Sequence, residues 1–133
     1  MALDSNENPD KSISKFESML KTDDVYFFDA EDFEEIIHHY LNNGKISLGK
    51  KAIQIGLEQH PNSMELKLLR VEVLVFEDRY DVAERLLDEI QNIDAHNEEI
   101  YIQRANIQSK QDNHQEAVNL LLDALHLTEN SFD

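Results

Sequence analysis

The chain contains no cysteine and no tryptophan, and its 133 residues include only three glycines and two prolines. Without cysteine there is no disulfide frame, no thiolate nucleophile and no cysteine-held zinc. So few helix breakers, beside abundant Leu, Ile, Glu, Lys, Asn and Ala, favour an all-helical domain long enough to form a continuous core. Long apolar runs are missing too, since none approaches the ~18 residues of a membrane span. The opening MALDSNENPD is polar and acidic, unlike the basic-then-apolar start of a signal peptide, so the expected location is cytoplasmic.

Positive charge is the other shortage. Twelve Lys and Arg stand against 28 Asp and Glu, a formal net charge of −16. Nucleic acid is excluded as a partner by this balance, because affinity for phosphate backbones comes from cationic contacts. Anionic membrane surfaces are disfavoured for the same reason. A basic protein segment is the partner class that the charge favours.

The familiar catalytic motifs are absent as well: no Gly-rich phosphate loop, no nucleophile elbow, no zinc-hydrolase helix. Carboxylate pairs are too frequent in so acidic a chain to mark acid–base chemistry. No enzyme activity and no cofactor is expected. His38 and His39 are neighbours, roughly 100° apart on a helix, and cannot easily share a metal. Glu34 with His38 and Glu35 with His39 are spaced as ligand pairs, but local sequence fixes no third ligand, so they read as a solvated face. His60, His96, His114 and His126 fall at turns or helix ends and read as structural.

What the chain does have is internal repetition. Arg70 recurs as Arg104, Asp78 as Asp112, Ala83 as Ala117, Leu86 as Leu120 and Leu87 as Leu121, each after a step of 34 residues. Backwards, the same step carries Ala83 to Gly49, Ile90 to Gly56 and Ala95 to Pro61. Helix–turn–helix units at this period stack into a solenoid, each covering its neighbour's apolar face. Small residues at 49, 83 and 117 let paired helices approach closely, and Gly56 and Ala124 add a second close contact.

Taken in order, residues 1–10 have almost nothing to bury and are expected to be disordered. Ile13, Phe16, Met19 and Leu20 share one face of a short helix, which should cap the first repeat. After the connector 22–28, Asp29 should cap a helix with Glu31 and Asp32 at its positive end, and Phe28 should staple onto Phe33. Gly44 suits the left-handed end of that helix. The next helix should span 47–59, stopping before Pro61. The second repeat turns at 77–81. Its segment 71–76 is strand-like by local propensity, but the repeat register makes it helical. The third repeat should occupy 98–129, with 128–133 frayed.

The repeated residues resemble the tetratricopeptide repeat family. The first copy supplies Phe33, Ile36, Tyr40, Gly49, Ile53, Gly56 and Pro61. The second supplies Val71, Leu74, Tyr80, Ala83, Leu87, Ile90 and Ala95, and the third Tyr101, Ala105, His114, Ala117, Leu121 and Ala124. Lys67, Gln108 and Glu129 depart from the pattern. The resemblance implies an all-α, right-handed superhelical solenoid: three repeats at about 30–63, 64–97 and 98–129, an N-terminal helix with its connector at 11–28, and a frayed tail at 130–133. It also implies a protein-binding groove lined by the first helices. Glu31, Glu34, His38 and Leu41 would come from the first copy, and Glu65, Leu68, Leu69, Glu72 and Val75 from the second. The third would add Glu99, Ile102, Gln103 and Asn106. Family members that grip a carboxylate tail use basic and amide residues where this chain has Glu34, His38, Leu69, Glu99 and Gln103. Such a clamp is therefore absent. The expected ligand is a basic segment with apolar anchors for Leu68, Val75 and Ile102.

The last helix carries a second expectation. The central copy has Glu84, Asp88 and Gln91 along one side, whereas the terminal copy has Val118, Leu122 and Leu125 there and keeps Ala117, Leu120, Leu121 and Ala124 inward. That apolar stripe fits a rival reading, a structural module whose last helix meets a further repeat or a second copy as a homodimer, with Phe132 of the tail as its one local shield.

Overall fold

The computed structural model describes residues 9–130; the expected disorder of 1–8 and the tail 131–133, including Phe132, lie outside the described residues. Among those described there are seven α-helices and no strand: α1 (Pro9–Lys21), α2 (Ala30–Asn42), α3 (Ile46–Gln59), α4 (Met64–Phe76), α5 (Tyr80–Ile93), α6 (Glu98–Lys110) and α7 (His114–Asn130). None of the described helices is long and apolar enough to cross a membrane. Helical structure extends further than expected at both ends. Pro9, with no amide hydrogen to lose, opens α1, and the Thr128 hydroxyl donates to the Ala124 carbonyl at 3.2 Å within α7.

The repeat period is written into the backbone. The starts of α2, α4 and α6 (Ala30, Met64, Glu98) are 34 residues apart, as are those of α3, α5 and α7. Each turn between paired helices holds one left-handed residue, Gly44 at φ 74, Asp78 at φ 61 and Asp112 at φ 65. The next residue's amide donates to the carbonyl five positions back in every copy: Lys45 to Tyr40, Arg79 to Leu74 and Asn113 to Gln108, each at 2.8 Å. This wide bond around a left-handed residue closes a helix C-terminus. Residues 29, 63 and 97 precede the first helix of each hairpin. Asn97 accepts from the Glu99 amide at 3.0 Å and Ser63 from the Leu66 amide at 3.2 Å. Asp29 stands at the same position, but its side chain makes no cap hydrogen bond, contrary to expectation.

The chain divides into two compact units, Met1–Leu66 and Lys67–Asp133. In the first, α1 packs on α2 through Phe16, which is fully buried with its ring centroid 6.2 Å from Phe28, 6.5 Å from Phe33 and 6.1 Å from Tyr40. Phe28 meets Phe33 at 5.4 Å, as the staple predicts. The Tyr40 hydroxyl donates to Glu17 at 2.8 Å; burial, then that bond, pushes the phenol up from its ordinary range. Between α2 and α3 the approach is close. A Cβ at Gly49 would lie 2.6 Å from the Leu41 Cδ2, and one at Gly56 would lie 3.1 Å from Phe33 and 3.2 Å from Leu66.

In the second unit α6 packs against both α5 and α7. Ala83, Leu87 and Ile90 of α5, Ile100, Ala105 and Ile107 of α6, and Ala117 and Ala124 of α7 are among its buried residues. Lys110 ties the end of α6 to the turn after α4, donating to the Val75 carbonyl at 2.8 Å and pairing with Asp78 at 3.0 Å. Hydrogen bonds from Lys110 first and then Tyr80 lower the Asp78 carboxyl from its ordinary range.

Candidate binding surfaces

In the first unit, α2 and the first residues of α4 bring acidic groups together. Glu31, His38 and Glu65 are exposed and Glu34 is half-buried among them. The Glu34 carboxyl is pushed above its ordinary range. Loss of water is the main cause, repulsion from Glu65 adds to it, His38 opposes it, and Glu31 and Glu35 contribute further repulsion. A carboxylate so placed is relieved by a cation more than an isolated surface glutamate would be.

The connector between α1 and α2 makes a different surface. The α3 residue Gln59 donates to the Tyr26 carbonyl at 2.8 Å and accepts from the Phe28 amide at 3.1 Å, gripping one edge of the segment as a neighbouring strand would. His60 Nε2 donates to the Phe28 carbonyl at 2.6 Å, a structural role in keeping with its position at a helix end. Phe28 points inward and Val25 and Phe27 outward, beside an open cleft of about 590 Å³ lined also by Leu20, Lys51 and Ile55. The sequence reading did not single out Val25 and Phe27; the signal was the unbroken apolar run VYFF, which an extended segment divides between opposite faces.

In the second unit, Glu72 and Asn106 are exposed and Glu99 and Ile102 half-buried. Leu68, Leu69, Val75 and Gln103 are buried, at 9, 4, 5 and 6 % exposure. This corrects the expectation that they line an open groove. Leu68 and Val75 are core side chains rather than ligand anchors, and of the three expected anchors Ile102 alone keeps surface. The α4 helix is buried around most of its circumference, so register alone did not reveal which side stayed open.

A polar cluster joins α5 and α6. Arg104 of α6 donates to Glu84 at 3.1 Å, to Asp88 at 2.5 Å and to Gln91 at 2.9 Å, all on α5. Val118, Leu122 and Leu125 on α7 are exposed. Leu121, expected inward with Ala117 and Ala124, is exposed with them. No group of three or more metal-ligating side chains arranged to hold an ion is found among the described residues. His114 and His126 lie in the open, each 3.7 Å from a carboxylate, Asp112 and Glu129 respectively. Set against known proteins, the chain matches no family model, and no curated protein matches its sequence.

Proposed function

We propose that the chain is a non-enzymatic protein-interaction module built of tetratricopeptide-like helical hairpins, whose acidic α2 and α4 face takes a basic segment of another protein. The observation that carries this reading is the recurrence, at 34 residues, of one hairpin with one turn geometry at Gly44, Asp78 and Asp112. Repetition of this kind supports a scaffold that presents side chains from successive helices to an extended partner. The raised pKa of Glu34 among Glu31, Glu35 and Glu65 supports the charge of the ligand. A lysine or arginine brought to Glu34 relieves carboxylate repulsion that the free protein bears, and that relief adds to affinity.

The test is titration with an extended peptide of Lys and Leu. Its affinity should fall as salt rises, because screening contracts the field from ~8 Å at physiological ionic strength to ~3 Å at 1 M. Reversing Glu34→Lys together with Glu65→Lys should weaken binding at least about tenfold, a loss of ~1.4 kcal/mol. Asp81→Lys with Glu89→Lys changes the net charge equally and should weaken it far less. Equal losses from the two pairs would mean that the peptide responds only to total charge, and would refute the site.

A further inference from the structure

Helices α5 and α7 hold the same place in successive hairpins, so each shows what the other lacks. On α5, Glu84, Asp88 and Gln91 receive the Arg104 guanidinium from α6, and Leu87 on the same helix is fully buried. The 34-residue step carries those three positions onto Val118, Leu122 and Leu125, and Leu87 onto Leu121. On α7 these four side chains are 50, 50, 53 and 48 % exposed, in that order of naming. At about 100° per residue they fall within roughly 100° of arc. Glu129, four residues after Leu125, continues the same stripe.

We propose that this face of α7 seats an amphipathic helix of another protein, one with an apolar stripe flanked by Lys or Arg. That the occupant is a helix follows from α6, which already sits on the equivalent face of α5. That its stripe is apolar follows from the loss of every acceptor. A cation in the register of Arg104 would meet Val118, Leu122 and Leu125 and be buried without a partner. That its flanks are basic follows from charge. Glu129 lies on the stripe itself, residues 111–129 contain no Lys or Arg, and the carbonyl end of α7 adds the negative pole of its dipole beside Glu129. The same charges disfavour a second copy, since self-pairing would bring two such helices, and two chains each of −16, into contact. This site is separate from the acidic α2 and α4 face, and neither reading depends on the other.

The test uses a capped peptide of about 18 residues, long enough to be helical when bound, with Leu at i, i+3, i+4 and i+7, Lys on the flanks and Ala elsewhere. Because the chain has no cysteine, Asn119→Cys carries a single fluorophore at the edge of the stripe. The Lys peptide should bind, and a version with Glu on its flanks should bind at least about tenfold more weakly. Leu122→Glu with Leu125→Glu should weaken the Lys peptide about tenfold or more, although it makes the protein more acidic. Leu125→Gln, which adds no charge, should act in the same direction, and unchanged helical circular dichroism will show that both variants fold. Equal binding to parent and double variant would overturn the proposal. So would sedimentation of the parent as a dimer that Leu122→Glu with Leu125→Glu dissociates, which would give the face to a second copy.

Discussion

Alanine at Gly56 and alanine at Gly49 should have different consequences, although both glycines lie on α3 and face α2. Each replacement gains about 0.8–1 kcal/mol of helix propensity. At Gly56 the new Cβ stands 3.1 Å from Phe33 Cγ and 3.2 Å from Leu66 Cδ1, against an ordinary carbon contact of about 3.5–4.0 Å. Phe33 and Leu66 are both fully buried and have nowhere to retreat. Overpacking of this kind costs about 1–3 kcal/mol, so the net loss should be about 0–2 kcal/mol. At Gly49 the nearest atom is closer, 2.6 Å away, but it is the terminal methyl of Leu41. Leu41 is half-buried and its end can swing into solvent. Most of the propensity gain should survive there, leaving Gly49→Ala neutral or more stable by up to about 0.5 kcal/mol. Urea unfolding followed by circular dichroism measures both, and an unchanged m-value confirms that stability alone has moved. If Gly56→Ala proves more stable than Gly49→Ala, the reasoning from buried against mobile neighbours is wrong.

Other outcomes follow from particular side chains. Arg104→Met should lower stability by about 1–2 kcal/mol in thermal melts, since a half-buried network loses the guanidinium that joins Glu84, Asp88 and Gln91; Glu84→Gln should cost more than Asp88→Asn, because Asp88 is 68 % exposed against 35 % for Glu84. Gly44→Ala should cost about 1–2 kcal/mol from backbone strain alone, since φ is 74 and an added Cβ meets nothing; an unchanged midpoint would show that the turn relaxes. Glu34 has a folded pKa above its unfolded value, so its contribution is full at low pH and lost as pH rises through the folded pKa. Glu34→Gln should therefore raise the melting temperature slightly near neutral pH, with the gain disappearing in acid below the ordinary glutamate range, and a gain that persists in acid would point to packing instead.

The helices were legible because the period constrained what local propensity left ambiguous. The run VEVLVF of α4 favours a strand by itself, yet its register mates IHHYLN and ANIQSK do not, and the segment is helical. Gly44 announced its left-handed turn by being glycine. Asp78 and Asp112 did not, because an aspartate adopts positive φ only when the surrounding bonds hold it there. Burial was harder to read than helicity. Leu121 matches Leu87 in sequence, but Leu87 is buried while Leu121 is open, and no pattern within α7 distinguishes the two. Leu68, Leu69, Val75 and Gln103 failed in the opposite sense, since a helix apolar over most of its surface gives no clue to the side that stays wet. Arg104 recurs with Arg70, yet its three acceptors lie 13 to 20 residues away on another helix, beyond any local pattern.

The binding role is tested most directly by titrating isotope-labelled protein with the extended Lys and Leu peptide and following each backbone amide by NMR. The account predicts saturable shifts clustered at Glu31, Glu34, His38 and Glu65, reversed by salt and absent from the Glu34→Lys, Glu65→Lys variant. Shifts spread over the acidic surface in proportion to local charge, with this face no more affected than the rest, would contradict it.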